Sequence, residues 1–320
     1  MKKSAFDPRL KMKNFVADLD LSFKAGLERI RIDPESINEI HNSFRRVAGQ
    51  LDTPWPDMKE VHDFTITSKS HQIPVRLFVP HDASPTKGPC FIYLHGGGFV
   101  TGSIESHEGI TRRIALNTGI RVLSVDYRLA PKYKYPSALN DCERVLDWAL
   151  NDSDCQKWGI NSNNISLGGD SAGGNMTAYL SQKFRNRLRA QILFYPLMQL
   201  IDFKPPNPGP QDWLQLGFMA LKFIDEHYVA GADAQQTSLS PLLEDNLKGL
   251  PPSYILTCGL DPLRDEGKLY ADKLMVNAIN VEYNHEKLLP HGFLNFTRLF
   301  PKGKIVLKSA SDFLLKYIED

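Results

Sequence analysis

The stretch from Ile165 to Leu180, "ISLGGDSAGGNMTAYL", limits what this chain can fold into more than any other segment. Its first half is β-branched and apolar and runs into two glycines. Its second half is made of residues that can form a helix. Between them stands Gly169-Asp170-Ser171-Ala172-Gly173, the pattern G-x-S-x-G. In a strand, sharp turn, helix context this pattern holds a serine in a strained backbone conformation, with its hydroxyl raised above a sheet. The positions two before and two after the serine must be small, because the turn brings them together. The amides at the start of the following helix point at the same place and stabilise negative charge there. The bare pattern is short, and it also fits a glycine-rich turn that packs tightly or holds a phosphate. The strand before it, with Gly168, Gly174 and Asn175 around it, points to a nucleophile.

The rest of the chain supplies the sheet that such a turn needs. "VHDFTIT" and "IPVRLFV", joined by the polar turn Ser68 to Gln72, predict an antiparallel hairpin. From Pro89 onward apolar runs alternate with amphipathic stretches. "CFIYLH", "RVLSVDY", "NISLGGD", "AQILFYP", "SYILTCG" and "VEYNH" read as strands. Helical spacing covers about Ile110 to Gly119, "SALNDCERVLDWAL", the segment from Ser171 to about Arg187, "EGKLYADKLMVNA" and "IVLKSASDFLLKYI". Alternation of this kind means a mostly parallel sheet with helices on both faces. Two regions break it. Residues 1–56 carry three- and four-residue apolar steps, with a helix start at Asp33-Pro34-Glu35, and end at Trp55-Pro56. Residues 201–239 combine a proline-rich connection with the helical piece "DWLQLGFMALKFIDEHYV". The predicted organisation is an N-terminal helical segment 1–56, a core of 57–200 and 240–320, and an insertion 201–239.

A serine hydroxyl needs a base, an acid to orient the base, and donors for the developing oxyanion. His95-Gly96-Gly97-Gly98 follows a buried strand, and its glycines let backbone N–H groups face a substrate oxygen. The amide of Ala172, after the serine, is a further donor. Asp261, just past "SYILTC", is the candidate acid, with Asp265 one helical turn on as the alternative. His291 in "LLPHGF" is the candidate base. It is preferred over His95 because the order Ser171, Asp261, His291 is the one that accompanies a G-x-S-x-G serine on a strand-to-helix turn. His95 is expected to brace the glycine loop. Asp170, Asp126, Tyr127, Arg128 and Asp141 are expected to be structural. "HEKLLPH" is not a metal motif, because its second histidine is six residues on and off the helical face.

These pieces resemble the hormone-sensitive-lipase-like serine esterases, a branch of the α/β-hydrolases. The resemblance rests on His95-Gly96-Gly97-Gly98-Phe99, Asp126-Tyr127-Arg128-Leu129-Ala130-Pro131, Gly169-Asp170-Ser171-Ala172-Gly173-Gly174, Asp261-Pro262-Leu263-Arg264-Asp265 and His291-Gly292-Phe293, in that order along the chain. Lys132 stands where the family usually has Glu. The resemblance implies an α/β-hydrolase fold with a helical cap built from 1–56 and 201–239. It implies hydrolysis of short-to-medium acyl carboxylesters through an acyl-enzyme. Ser171, Asp261 and His291 would form the triad, and Gly96, Gly97, Gly98 and Ala172 the oxyanion hole. It implies no cofactor and no metal. Amides, carbamates and lactones are hydrolysed by the same machinery and stay open, as does a non-catalytic small-molecule receptor. Trp213, Leu216, Phe218, Met219, Leu221 and Phe223 either line an acyl pocket or pack the cap.

Composition narrows the partners. With a formal net charge of +1, the chain offers nothing to nucleic acid or an anionic membrane. No run of apolar residues is long enough for a spanning helix. The first residues lack the apolar stretch of a signal peptide, and the cysteines Cys90, Cys142, Cys155 and Cys258 show no paired or zinc spacing. A cytoplasmic location with free thiols is expected. The partner is a small-molecule ester, with a homodimer through "VEYNH" as an open possibility.

Overall fold

The computed structural model describes residue 42, residues 45–201 and residues 220–318. The chain divides into two compact units, Met1–Ser43 and Phe44–Asp320, and the architecture below is that of the second. The helix start at Asp33 and the residues Trp213, Leu216, Phe218 and Met219 lie outside the described residues.

An eight-stranded sheet in the order β1-β2-β4-β3-β5-β6-β7-β8 forms the centre. The hairpin β1 (Glu60–Thr67) and β2 (Gln72–Val79) is antiparallel, and β2 also pairs antiparallel with β4 (Arg121–Val125). The remaining pairs, through β3 (Gly88–Leu94), β5 (Ile160–Asp170), β6 (Gln191–Phe194), β7 (Ser253–Leu260) and β8 (Val281–Pro290), are parallel. Strands β3, β4 and β6 are buried along almost their whole length, as expected for parallel strands covered on both faces.

Side chains alternate between the two layers, as the two-residue period of a strand requires. Phe91, Tyr93, Ile192, Phe194, Tyr254 and Leu256 point to one face. There they meet α1 (Ile104–Thr118) and α5 (Lys302–Ile318) through Ile110, Ile114, Val306, Leu307 and Phe313. Leu193 and Ile255 point to the other face, against α3 (Ala172–Lys183) and α4 (Arg264–Val276) through Ala178, Tyr270, Ala271 and Leu274. Burying each such large side chain contributes about 1.5–3 kcal/mol. α2 (Ser137–Asn151) packs against α3 on this second face. Among the described residues, no helix is long and apolar enough to cross a membrane.

Some boundaries differ from the sequence reading. α1 begins at Ile104, six residues before the expected Ile110, because Ser103 caps it reciprocally with Ser106. Its end at Gly119 is as expected, with a left-handed φ of 68°. α3 stops at Lys183, short of Arg187. β8 extends to Pro290 rather than ending at His285, which carries the chain to His291.

Candidate active site

The parallel strands deliver their chain ends to one edge of the sheet, where α/β folds build their sites. β5 ends at Asp170, and Ser171 turns the chain into α3 with φ 53° and ψ −116°, a conformation rare for a side-chain-bearing residue. The turn is held from β6 and the loop that follows it. The Ser171 amide donates to the Phe194 carbonyl at 3.0 Å, and the Ser171 carbonyl accepts from Leu197 at 3.2 Å. The requirement for small neighbours is literal. A Cβ on Gly173 would lie 1.9 Å from the Leu94 carbonyl oxygen, and one on Gly169 would lie 2.4 Å from the same atom.

The other two candidate residues come from β7 and β8. The register pairs Leu260 with Pro290, so the residues that follow, Asp261 and His291, leave the sheet side by side. The His291 Nδ1 is 2.8 Å from Asp261 Oδ2, and its Nε2 is 2.8 Å from Ser171 Oγ. A carboxylate only accepts, so Nδ1 carries the proton and Nε2 is left to accept from the serine hydroxyl. The other Asp261 oxygen accepts from the Leu263 amide at 2.8 Å. Burial pulls the His291 pKa down, but the charge and hydrogen bond of Asp261, with the charge of Asp170 behind them, leave it above 6.5. The Tyr195 ring packs edge-on against the imidazole at 4.8 Å. Asp265, the alternative acid, is exposed and bonded to Arg264.

The glycine loop follows β3. Gly97 and Gly98 have φ of 119° and 62°, and the Gly97 carbonyl accepts from Val100 and Thr101. Among the described residues, the amides of Gly97, Gly98 and Ala172 donate to no other group. The Gly96 amide differs from them. It donates to Asp170 Oδ1 at 2.8 Å, so Gly96 belongs to the frame of the loop and not to its free donors. Asp170 is buried and also accepts from Tyr93 Oη at 2.7 Å, with His107 Nε2 3.5 Å away. Burial raises its pKa, but His107, Tyr93 and the Gly96 amide outweigh this and hold it below 3.8. His95 braces the loop as expected, with Nδ1 2.8 Å from the Gly96 carbonyl and its ring stacked on Tyr127 at 4.1 Å. Arg128 pairs with Asp141, Nη2 to Oδ1 at 2.8 Å.

Sequence reasoning missed Tyr93, His107 and Glu266. Tyr93 precedes the glycine loop by two residues and His107 lies in a helix with no motif around it, and only the tertiary fold brings both to Asp170. Glu266 Oε1 accepts from the Met198 amide at 2.7 Å and so ties α4 to the loop after β6. Burial, reinforced by the Asp261 charge, pushes its carboxyl well above the ordinary range despite the Met198 bond.

A serine on a strained strand-to-helix turn, bonded through a histidine to an aspartate at the same sheet edge, defines the α/β-hydrolase class of folds and sites. The comparisons place the chain within that class. A family profile described as alpha/beta hydrolase fold matches residues 91–295. The chain belongs to this family, in its hormone-sensitive-lipase-like branch. It is 33% identical over 251 residues to carboxylic ester hydrolase LipN of Mycobacterium tuberculosis, a match covering 75% of this chain and 66% of that protein. It is 30% identical over 280 residues to esterase LipI of the same organism, covering 85% and 86%. Among solved structures it superposes on the ester-hydrolase EH1AB1 from the metagenome of Lake Arreo with a TM-score of 0.85, at 28% identity, covering 95% of this chain and 97% of that one. The chain is a serine-esterase-like hydrolase.

Proposed function

We propose that this protein hydrolyses carboxylesters of short-to-medium acyl chains, with Ser171 as nucleophile, His291 as general base and acid, and Asp261 as the group that orients His291. The observation that carries this is the unbroken hydrogen-bond chain Asp261–His291–Ser171, 2.8 Å at each step. In this reading Ser171 Oγ attacks the ester carbonyl as Nε2 takes its proton. The tetrahedral oxyanion is held by the amides of Gly97, Gly98 and Ala172, whose positions are fixed before the substrate arrives. Collapse of the intermediate expels the alcohol, protonated by His291, and leaves an acyl-serine. Water, deprotonated by His291, repeats the sequence and releases the acid.

The acyl-length assignment is supported by what lies over the loop. The helical stretch 220–229 belongs to the insertion, and its Ile224 side chain would lie 3.2 Å from a Cβ at Gly98. Tyr228 stacks on Phe99 at 3.9 Å with the rings 5° from parallel. These contacts set the stretch 220–229 against the glycine loop, which supports reading the insertion as a cap over a short acyl chain. The test is a p-nitrophenyl ester series from C2 to C12, run beside Ser171→Ala. Turnover greatest at short chains and lost in the variant supports the reading. Turnover that survives the substitution overturns the role of Ser171, and a maximum at C12 overturns the acyl assignment.

A further inference from the structure

The opposite edge of the sheet carries a cavity that the ester chemistry does not use. It is about 490 Å³ and lies at the start of β4 and β5, between the β1–β2 hairpin and the segment before β5. Ser171 and this cavity are separated by the length of the sheet. Arg121 pairs with Cys90 and Cys90 with Ile165, six residues before the serine, which is about 20 Å of strand at about 3.3 Å per residue.

Its wall has an unusual charge balance. Lys59, Lys87, Arg121 and Lys157 line it against a single carboxylate, Glu60. Glu60 is bonded to His62 at 2.8 Å, and Lys157 to Asp154 at 3.0 Å. Arg121 stands apart from these surface groups. It is 7% exposed, yet no carboxylate of the described residues lies within 4 Å of its guanidinium. Its Nη2 donates to the Ser84 carbonyl at 2.9 Å, while its Nε finds no acceptor among the described residues. The carboxylate that feels its charge is Glu60, more than 4 Å away and already engaged by His62 and Lys59, so an added anion would complete the compensation of this buried guanidinium. The backbone is shaped around this group. A Cβ on Gly159, where φ is 69°, would fall 2.4 Å from Nη2, so only glycine lets the guanidinium lie flat on the chain there.

The remaining wall is apolar. Leu77 and Val79 are buried there, and Trp158 is stacked on Phe64 at 3.9 Å. From this combination we infer that the cavity is a second binding site, for a small organic anion. A carboxylate or phosphate group sits on Arg121 with Lys87 and Lys157 around it, and an apolar body lies against Leu77, Val79 and Trp158. The site is independent of the ester reaction proposed for Ser171.

The test is calorimetric titration of the full chain with inorganic phosphate, phenyl phosphate and benzoate, in wild type, Arg121→Met, Lys87→Ala/Lys157→Ala and Ser171→Ala. The expected result is saturable binding of phenyl phosphate and benzoate, tighter than that of inorganic phosphate. Binding should be weakened at least tenfold by either cationic-wall variant and unchanged by Ser171→Ala. The lysine variant alters only exposed groups, so it decides the matter if Arg121→Met does not fold. No binding at tens of millimolar, equal affinity in the lysine variant, or loss of binding in Ser171→Ala overturns the site. Inorganic phosphate binding as tightly as phenyl phosphate overturns the organic-anion assignment.

Discussion

At the scale of single residues, the proposed chemistry turns on the placement of protons. In the proposed role of base His291 must be neutral, and its folded pKa lies above 6.5 because Asp261 and Asp170 outweigh burial. The acidic limb of kcat/KM is therefore expected above pH 6.5, with activity rising as pH climbs through it. A profile flat from pH 5 to 8 would contradict the role of His291. Ser171→Ala is expected to lower kcat by about 10⁴ or more with an unchanged circular dichroism spectrum. Asp261→Asn is expected to lower kcat by a comparable factor, about 10⁴, because an amide oriented as a donor stabilises the wrong tautomer. It should also move the acidic limb down, since the charge that raises His291 is gone. The sequence singled out Ser171, Asp261 and His291, and the fold brings the three into one hydrogen-bond chain. The choice of Asp261 over Asp265 became a matter of geometry only when Leu260 was seen to pair with Pro290.

At the scale of elements, the elbow joins three of them, and Gly173 shows which force prevails. Alanine in place of glycine inside a helix ordinarily stabilises by about 1 kcal/mol. Here the added carbon would sit 1.9 Å from the Leu94 carbonyl and 2.6 Å from that of His95. Overpacking of this kind costs about 1–3 kcal/mol or more, so Gly173→Ala is expected to be net destabilising in urea titration. It should also depress kcat, because Leu94 leads directly into the glycine loop proposed to hold the oxyanion. Asp126, after β4, makes a different point. Burial first, and the Glu105 charge next, raise its pKa from 3.8 to about 6. The fold favours the protonated form, so this group costs stability progressively as pH rises from about 4 through 6. Asp126→Asn is expected to be more stable than wild type at pH 8, and the difference should vanish below pH 4, as urea titrations at the two pH values would show. The strands were readable from their apolar runs. The start of α1 was not, because serine capping by Ser103 and Ser106 leaves no apolar period to detect.

At the scale of the whole molecule, Asp52 connects distant parts of the chain. Its carboxylate accepts from Arg113 Nη1 at 2.8 Å, from Trp55 Nε1 at 2.9 Å and from the Thr297 hydroxyl, and it is 5% exposed. Asp52→Ala would leave the buried Arg113 unpaired, so a loss of about 3–5 kcal/mol is expected, read as a lowered urea midpoint. Nothing in the sequence signals this junction, since Arg113 and Thr297 lie 61 and 245 residues from Asp52 and belong to no motif. The same division runs through the protein. Sequence by itself determined the alternating elements, the serine turn, the glycine loop and the chain order of the candidate triad, because each depends on local period, steric size or backbone freedom. Tertiary structure alone decided which glycine amide is taken by Asp170, how Tyr93 and His107 hold that carboxylate, and that Arg121 lies buried with no carboxylate of the described residues within 4 Å. Those outcomes depend on strand order and register, which bring together residues with no relation along the chain.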